Sequence, residues 1–119
     1  MSPKSKLELA RQHLETARDD LDGDRTGEAI NALFYSAEAA IDFFAGKHSI
    51  DTQRKHYLKA EAAGTLHAKG VLTADYSSLL EGLNEARKAV WYGGEDPDMD
   101  VEATYTEVEA FVEAAERES

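Results

Sequence analysis

Apolar residues recur at spacings of three and four along most of this chain, which is the period of a helix with one buried face. In the first segment, the stripe consists of Leu7, Ala10, Leu14, Ala17 and Leu21, with charged residues on the opposite side. No segment shows sustained alternation of apolar and polar residues, so the pattern predicts helices and no sheet. The predicted helices cover residues 4–21, 27–45, 52–69, 74–92 and 99–117.

The second predicted helix differs from the others because it is apolar on nearly every side. Between residues 29 and 44 only Asn31, Ser36, Glu38 and Asp42 are polar, whereas a helix with one buried stripe is polar over more than half of its surface. Several alanines in this segment would let other helices approach closely. The segment therefore predicts the central helix of an all-α, up-and-down four-helix bundle with an additional helix, in one domain covering residues 1–119.

Short oxygen-bearing side chains and glycines indicate where these helices begin and end. The expected N-caps are Asp24 or Thr26 for the second helix, Asp51 or Thr52 for the third and Thr73 for the fourth. The other expected boundaries are Ser2 at the start of the first helix, Gly46 at the end of the second and a turn at Pro97 before the last.

Charge is distributed unevenly along the chain, whose net charge is −11. Residues 95–119 contain ten acidic residues and one basic residue. An acidic protein lacks a general attraction for phosphate backbones, so we expect no binding to duplex DNA. Residues 47–69, by contrast, contain five lysines and arginines and three histidines against two carboxylates. This segment leaves room for a local basic surface.

Several kinds of protein and of chemistry are not indicated by the sequence. No apolar run approaches the roughly 20 residues that span a bilayer, and the first residues lack the apolar core of a signal peptide. With no cysteine in the chain, these features predict a cytoplasmic protein without a membrane partner. No histidine follows a glutamate by three positions, and HExxH and phosphate-loop motifs are absent. We therefore expect no metal and no cofactor.

Two segments read together resemble HEPN domains. Residues 32–40, ALFYSAEAA, are similar to the core helix of that family, and residues 84–94, NEARKAVWYGG, are similar to its late motif, which begins with arginine and ends in histidine or tyrosine. Between them, Arg54, Lys55 and His56 resemble the basic start of the family's third helix. The resemblance covers about residues 7–92. It implies a helical bundle, usually dimeric, with the motif residues near the dimer interface.

The resemblance departs from the RNA-cutting members at one decisive position. In those members four to six residues separate the arginine from a histidine, and the two residues from both subunits form a metal-independent ribonuclease site. Here Arg87 is followed by Tyr92, Gly93 and Gly94 at the three allowed spacings. A tyrosine hydroxyl is a poor general base near neutral pH. The resemblance therefore predicts a binding module rather than an enzyme.

The predicted ligand site consists of Arg87, Lys55, His56 and Lys59. The expected ligand is a nucleotide, a short RNA end or a partner protein, and the resemblance adds a minimal nucleotidyltransferase as a candidate partner. We also expect a homodimer. Two alternatives stay open: a ribonuclease toxin of a toxin–antitoxin system that uses Arg87 and Tyr92, and a structural adaptor dimer with no small ligand.

Simpler roles for the same residues stay open as well. Arg87 and Trp91 are four residues apart and could stack as a cation–π pair, while the ring of Tyr92 could lie in the core. Lys55, His56 and Lys59 could form a solvated helix face. Asn31 and Glu38, as polar residues in an apolar helix, need partners if they are buried.

Overall fold

The predicted central helix lies at the centre of an all-helical fold. The computed structural model describes residues 3–94 and 98–119. Its helices are α1 (Pro3–Asp22), α2 (Thr26–Lys47), α3 (His56–Ala68), α4 (Ser77–Lys88) and α5 (Val101–Glu118), with a π-helical segment, Ala89–Gly93, that directly continues α4. None of the described residues lies in a β-strand, so the predicted all-α bundle is confirmed. No described helix is both long and apolar enough to cross a membrane.

Helix α2 is covered on several sides, as its composition requires. It packs against α1, α3, α4 and α5, and Leu33, Ile41 and Phe44 are fully buried. Its small residues allow a close approach to α1, where the Ser36 hydroxyl donates a hydrogen bond to the carbonyl oxygen of Ala10 at 2.7 Å. The sequence-based interpretation of residues 29–44 as the central helix is therefore confirmed.

The last helix, α5, packs against α1 and α2 and buries the side chain of Phe111 completely. Phe111 stacks on Tyr76, with ring centroids 4.3 Å apart, and on Phe44 of α2 at 6.0 Å. Burial raises the pKa of the Tyr76 hydroxyl. This stack connects α5 to the central helix and to the residue that immediately precedes α4.

The predicted caps of α2 and α3 are wrong. Arg25 occupies the N-cap position of α2 without a side-chain hydrogen bond, and α2 continues past Gly46 to Lys47. The third helix begins at His56 rather than near residue 52. The Asp51 carboxylate accepts a hydrogen bond from the backbone N–H of Gln53 at 2.9 Å, so it stabilises a local turn instead of a helix end.

The fourth helix also begins later than predicted. Thr73 lies in a bend, and α4 starts at Ser77, after Asp75 has accepted hydrogen bonds from the backbone N–H and the hydroxyl of Ser77 at 2.9 and 2.6 Å. These two bonds stabilise a local turn immediately before α4, which accounts for the later start. The helix start predicted at Ser2 and the turn predicted at Pro97 lie outside the described residues.

Candidate ligand-binding cleft

A cleft of about 680 Å³ lies between the start of α3 and one face of α4. The residues that line it are Arg54, Lys55, His56, Tyr57, Leu80, Glu81, Asn84, Glu85 and Lys88. Two of the predicted site residues, Lys55 and His56, thus belong to its lining. Arg87 contacts the lining residue Asn84. The side chain of Lys59 contacts Glu38, which in turn binds the lining residue His56. The four predicted residues are therefore brought into one region, although only two of them face the cleft.

The loop before α3 holds its basic residues in a strained conformation. Gln53 and Arg54 both lie in the left-handed region, with φ of 52° and 57°, and each non-glycine residue there costs about 1–2 kcal/mol. The backbone N–H of Lys55 donates to the Thr52 carbonyl oxygen at 2.9 Å, which stabilises the turn. Strain of this kind is often concentrated at functional sites, and here it positions Arg54 and Lys55 at the edge of the cleft.

Arg87 is held in place by an aromatic ring and a side-chain amide. Its guanidinium carbon lies 4.4 Å from the ring centroid of Phe34, and Nη2 donates to the Asn84 side-chain oxygen at 3.3 Å. Nε is buried and has no hydrogen-bond partner. Across residues 3–94 and 98–119, no carboxylate forms an ion pair with this arginine. The positive charge of Arg87 therefore remains uncompensated beside a residue that lines the cleft.

The alternative in which Arg87 stacks on Trp91 does not hold, because the guanidinium lies over Phe34 instead. From Ala89 onward the backbone follows the wider turn of a π-helix, so Trp91 does not keep the α-helical spacing from Arg87. The Trp91 side chain is 56% exposed. The alternative in which the Tyr92 ring lies in the core does not hold either, since its side chain is 81% exposed.

His56 is oriented by the Glu38 carboxylate, which is held in turn by the buried ammonium group of Lys59. His56 Nδ1 lies 2.9 Å from Glu38 Oε2, and Lys59 Nζ donates to Glu38 Oε1 at 3.0 Å. Lys59 also forms an ion pair with Asp42 at 3.2 Å and is only 7% exposed. The expectation that Glu38 is paired is confirmed. A solvated helix face describes Lys55, which is exposed, but not Lys59.

Phe34 connects the two halves of this arrangement. The His56 ring meets it edge-on at 5.2 Å between centroids, while the Arg87 guanidinium covers its face. The ring therefore fixes the spacing between a histidine from α3 and an arginine from α4. Phe34 was not among the predicted site residues, because an apolar residue in an apolar helix carries no sign of such a role.

A second group of aromatic side chains is exposed near the start of α2. Tyr35 is 43% exposed and lies beside Trp91 in a shallow cleft that Asn31 also lines. The His13 ring packs against Tyr35 at 5.6 Å between centroids. Burial lowers the pKa of His13, so this ring is neutral at neutral pH. We call the two exposed side chains of Tyr35 and Trp91, which line this cleft together, the aromatic patch.

Searches against known protein families, curated proteins and solved structures find no match to this chain. The fold and the cleft define the molecule as an all-α helical bundle with a basic surface cleft between α3 and α4. Any function assigned to this chain therefore has to be argued from the residues and the geometry of that cleft.

Proposed function

We propose that this protein is a HEPN-like bundle that binds the phosphate group of a nucleotide or of a short RNA end in the cleft between α3 and α4. The observation that carries the proposal is Arg87, whose guanidinium is held on Phe34 and has no carboxylate partner among the described residues. A bound phosphate would provide the missing anion. The resemblance of residues 32–40 and 84–94 to HEPN domains supports the same proposal.

The chemistry of the surrounding side chains fits a phosphate group. Arginine offers a fork of donors that suits two phosphate oxygens, whereas lysine contributes a point charge. Lys55 and Lys88 line the cleft together with Arg54. Lys88 lies 3.7 Å from Glu85, but both side chains are well exposed, and exposed pairs of this kind are weak. Anion binding can therefore compete with that pair.

The remaining predicted residues receive more specific roles in this proposal. His56 adds a donor or a charge at the cleft, in an orientation fixed by its bond to Glu38. Lys59 acts through Glu38 and is a positioning residue, because two carboxylates already surround its ammonium group. Arg87 and Lys55 remain the residues expected to meet the phosphate.

The proposal favours binding over RNA cleavage. A metal-independent ribonuclease needs a general base at the position of Tyr92, and that side chain points into solvent from a π-helical segment. Its hydroxyl is a poor base near neutral pH. An adaptor dimer, or a bundle that serves a nucleotidyltransferase, would need no phosphate at the cleft. The binding experiment below distinguishes these functions.

Titration with nucleoside monophosphates and short 5′-phosphorylated RNAs is expected to show binding that weakens with salt. Arg87→Ala and Lys55→Ala should each weaken binding about tenfold, because a hydrogen bond to a charged group contributes about 1.5–3 kcal/mol. Lys69→Ala is the matched control: this lysine is exposed at the other end of α3. Calorimetry on the four proteins provides the affinities.

The same samples test the alternatives. The RNA is expected to be recovered intact after incubation without metal. Cleavage that disappears in Arg87→Ala would favour the ribonuclease. Equal and negligible binding by all four proteins would contradict the proposal and favour the adaptor dimer.

We further propose that the protein is a homodimer in which the aromatic patch lies at the interface. Large apolar side chains grouped on a surface are typical of association sites, and Tyr35 and Trp91 are both exposed and line the same shallow cleft. Light scattering at micromolar concentration should yield about twice the chain mass of 13.1 kDa. Trp91→Glu should yield the monomer mass, whereas Thr65→Glu on the exposed side of α3 should not. A monomer mass for the wild-type protein would contradict this arrangement.

A further inference from the structure

The α4 wall of the cleft changes charge from one end to the other. Asn84 and Glu85 lie three and four residues after Glu81, and Lys88 lies four and three residues after them, so the four share one face of the helix. The carboxylate of Glu81 and the ammonium group of Lys88 begin at backbone positions about 10 Å apart, given a rise of 1.5 Å per residue. A ligand along this wall therefore meets an anion at one end and a cation at the other.

The direction of α3 determines which end of this wall is basic. The Cβ position of Gly64, in the later half of α3, lies 3.9 Å from the Asp75 carboxylate just before α4. The two helices are thus antiparallel, and the start of α3 lies beside the end of α4. Arg54 and Lys55 therefore add their charge to that of Lys88, while Glu81 lies farther along the cleft.

Two side chains in the cleft have no role in phosphate binding. Glu81 is exposed and forms no ion pair within the described parts of the chain. The Tyr57 ring lines the same cleft and is 61% exposed. A base that stacks on an exposed aromatic ring is bound more tightly, whichever base it is. The cleft therefore combines a phosphate end, a stacking surface and an isolated hydrogen-bond acceptor.

We infer that the cleft recognises a guanine nucleotide, an inference that rests on the proposed phosphate site. The phosphate meets Lys55 and Arg87, and the charges of Arg54 and Lys88 lie nearby. The base stacks on Tyr57, and Glu81 accepts hydrogen bonds from guanine N1–H and the 2-amino group. An ionised carboxylate only accepts hydrogen bonds. Guanine presents two adjacent donors on that edge, whereas adenine presents a donor beside the N1 lone pair, which a carboxylate repels.

The dimensions of the cleft agree with this orientation. The length of the α4 wall is similar to the distance from the phosphate of a nucleotide to the pairing edge of its base, and the cleft volume of about 680 Å³ is within the range of small-molecule sites. Selectivity follows from the same geometry, because a ligand that leaves a polar group of the site unpaired is discriminated against.

Calorimetric titration of GMP, IMP, AMP and UMP tests the inference. Wild-type protein should bind GMP at least about tenfold more tightly than AMP or UMP. IMP, which lacks the 2-amino group, should be intermediate. Glu81→Gln keeps the size of the side chain and should remove most of the preference for GMP, while Tyr57→Leu should weaken binding of all four ligands. Glu113→Gln, on the exposed side of α5, removes an equal charge away from the cleft and should change nothing.

The outcomes separate this inference from the phosphate site. Equal affinity for all four nucleotides, lowered by Lys55→Ala, would overturn guanine recognition and leave the phosphate site standing. A preference for GMP that survives Glu81→Gln would overturn the role of Glu81. Absence of binding by any nucleotide would overturn both the inference and the proposed function.

Discussion

Replacement of Lys59 by alanine is expected to lower the free energy of unfolding by about 3 kcal/mol. Lys59 is buried between the carboxylates of Glu38 and Asp42, at 3.0 and 3.2 Å. Removal of one partner from a buried ion pair costs about 3–5 kcal/mol, because the remaining charge loses its compensation. After this substitution Glu38 keeps His56 and Asp42 keeps Lys6 as partners. Glu38 and Asp42 retain some contact with solvent, which places the expected loss at the lower end of that range. Urea unfolding at pH 7 measures it.

Lys6→Ala is the matched control for this substitution. Lys6 forms an ion pair with the same Asp42 carboxylate at 3.4 Å, but its side chain is 32% exposed, and pairs at such positions contribute less than about 1 kcal/mol. Equal, small losses in the free energy of unfolding for both variants would contradict the prediction that the buried ion pairs of Lys59 stabilise the contact between α3 and α2.

Phe111→Ala is expected to destabilise the protein by about 4 kcal/mol. This ring is fully buried between Phe44 and Tyr76, and its removal leaves a cavity that the surrounding helices fill only partly. Replacement of a buried phenylalanine by alanine costs about 3–5 kcal/mol. The urea midpoint should fall, while the slope of the unfolding transition stays the same, because the surface exposed on unfolding is nearly unchanged.

Tyr92→Ala removes an aromatic ring of similar size from an exposed position and is the control for Phe111→Ala. Its effect on stability should lie within about 0.5 kcal/mol, measured at equal protein concentration. A loss below about 1 kcal/mol for Phe111→Ala would contradict the role of this ring in attaching α5 to the bundle.

The helical pattern predicted the number of helices well and their ends less well. The apolar stripe of α1 and the apolar surface of α2 each depend only on residues within one segment, so the local pattern is enough to predict both helices. Helix starts depend on the turn that precedes each helix. Asp75 binds Ser77 in a turn just before α4, whereas Thr73, the expected cap, lies in a bend. The sequence offers both side chains two residues apart and does not distinguish between them.

The candidate site was predicted in part. The cluster of Lys55 and His56 and the isolated Arg87 were apparent from charge and from the resemblance to HEPN domains. The helical spacing of Glu81, Asn84 and Lys88 is visible in the sequence. It indicates a binding site only when the start of α3 is known to lie opposite these residues. Lys59 was grouped with the surface cations because the sequence does not show that Glu38 and Asp42 surround it.

The sequence alone determined that this chain is helical and that its second helix lies at the centre, because burial on all sides requires apolar residues on all sides. Tertiary structure alone decided what each charge does. Within the basic group Lys59 is compensated by buried carboxylates and His56 is oriented by Glu38. Arg87 lies on Phe34 and has no carboxylate partner among the described residues. The physical reason is that the free energy of a charge depends on its distance from other charges and on its burial. Those quantities exist only after residues far apart in the sequence have been packed together.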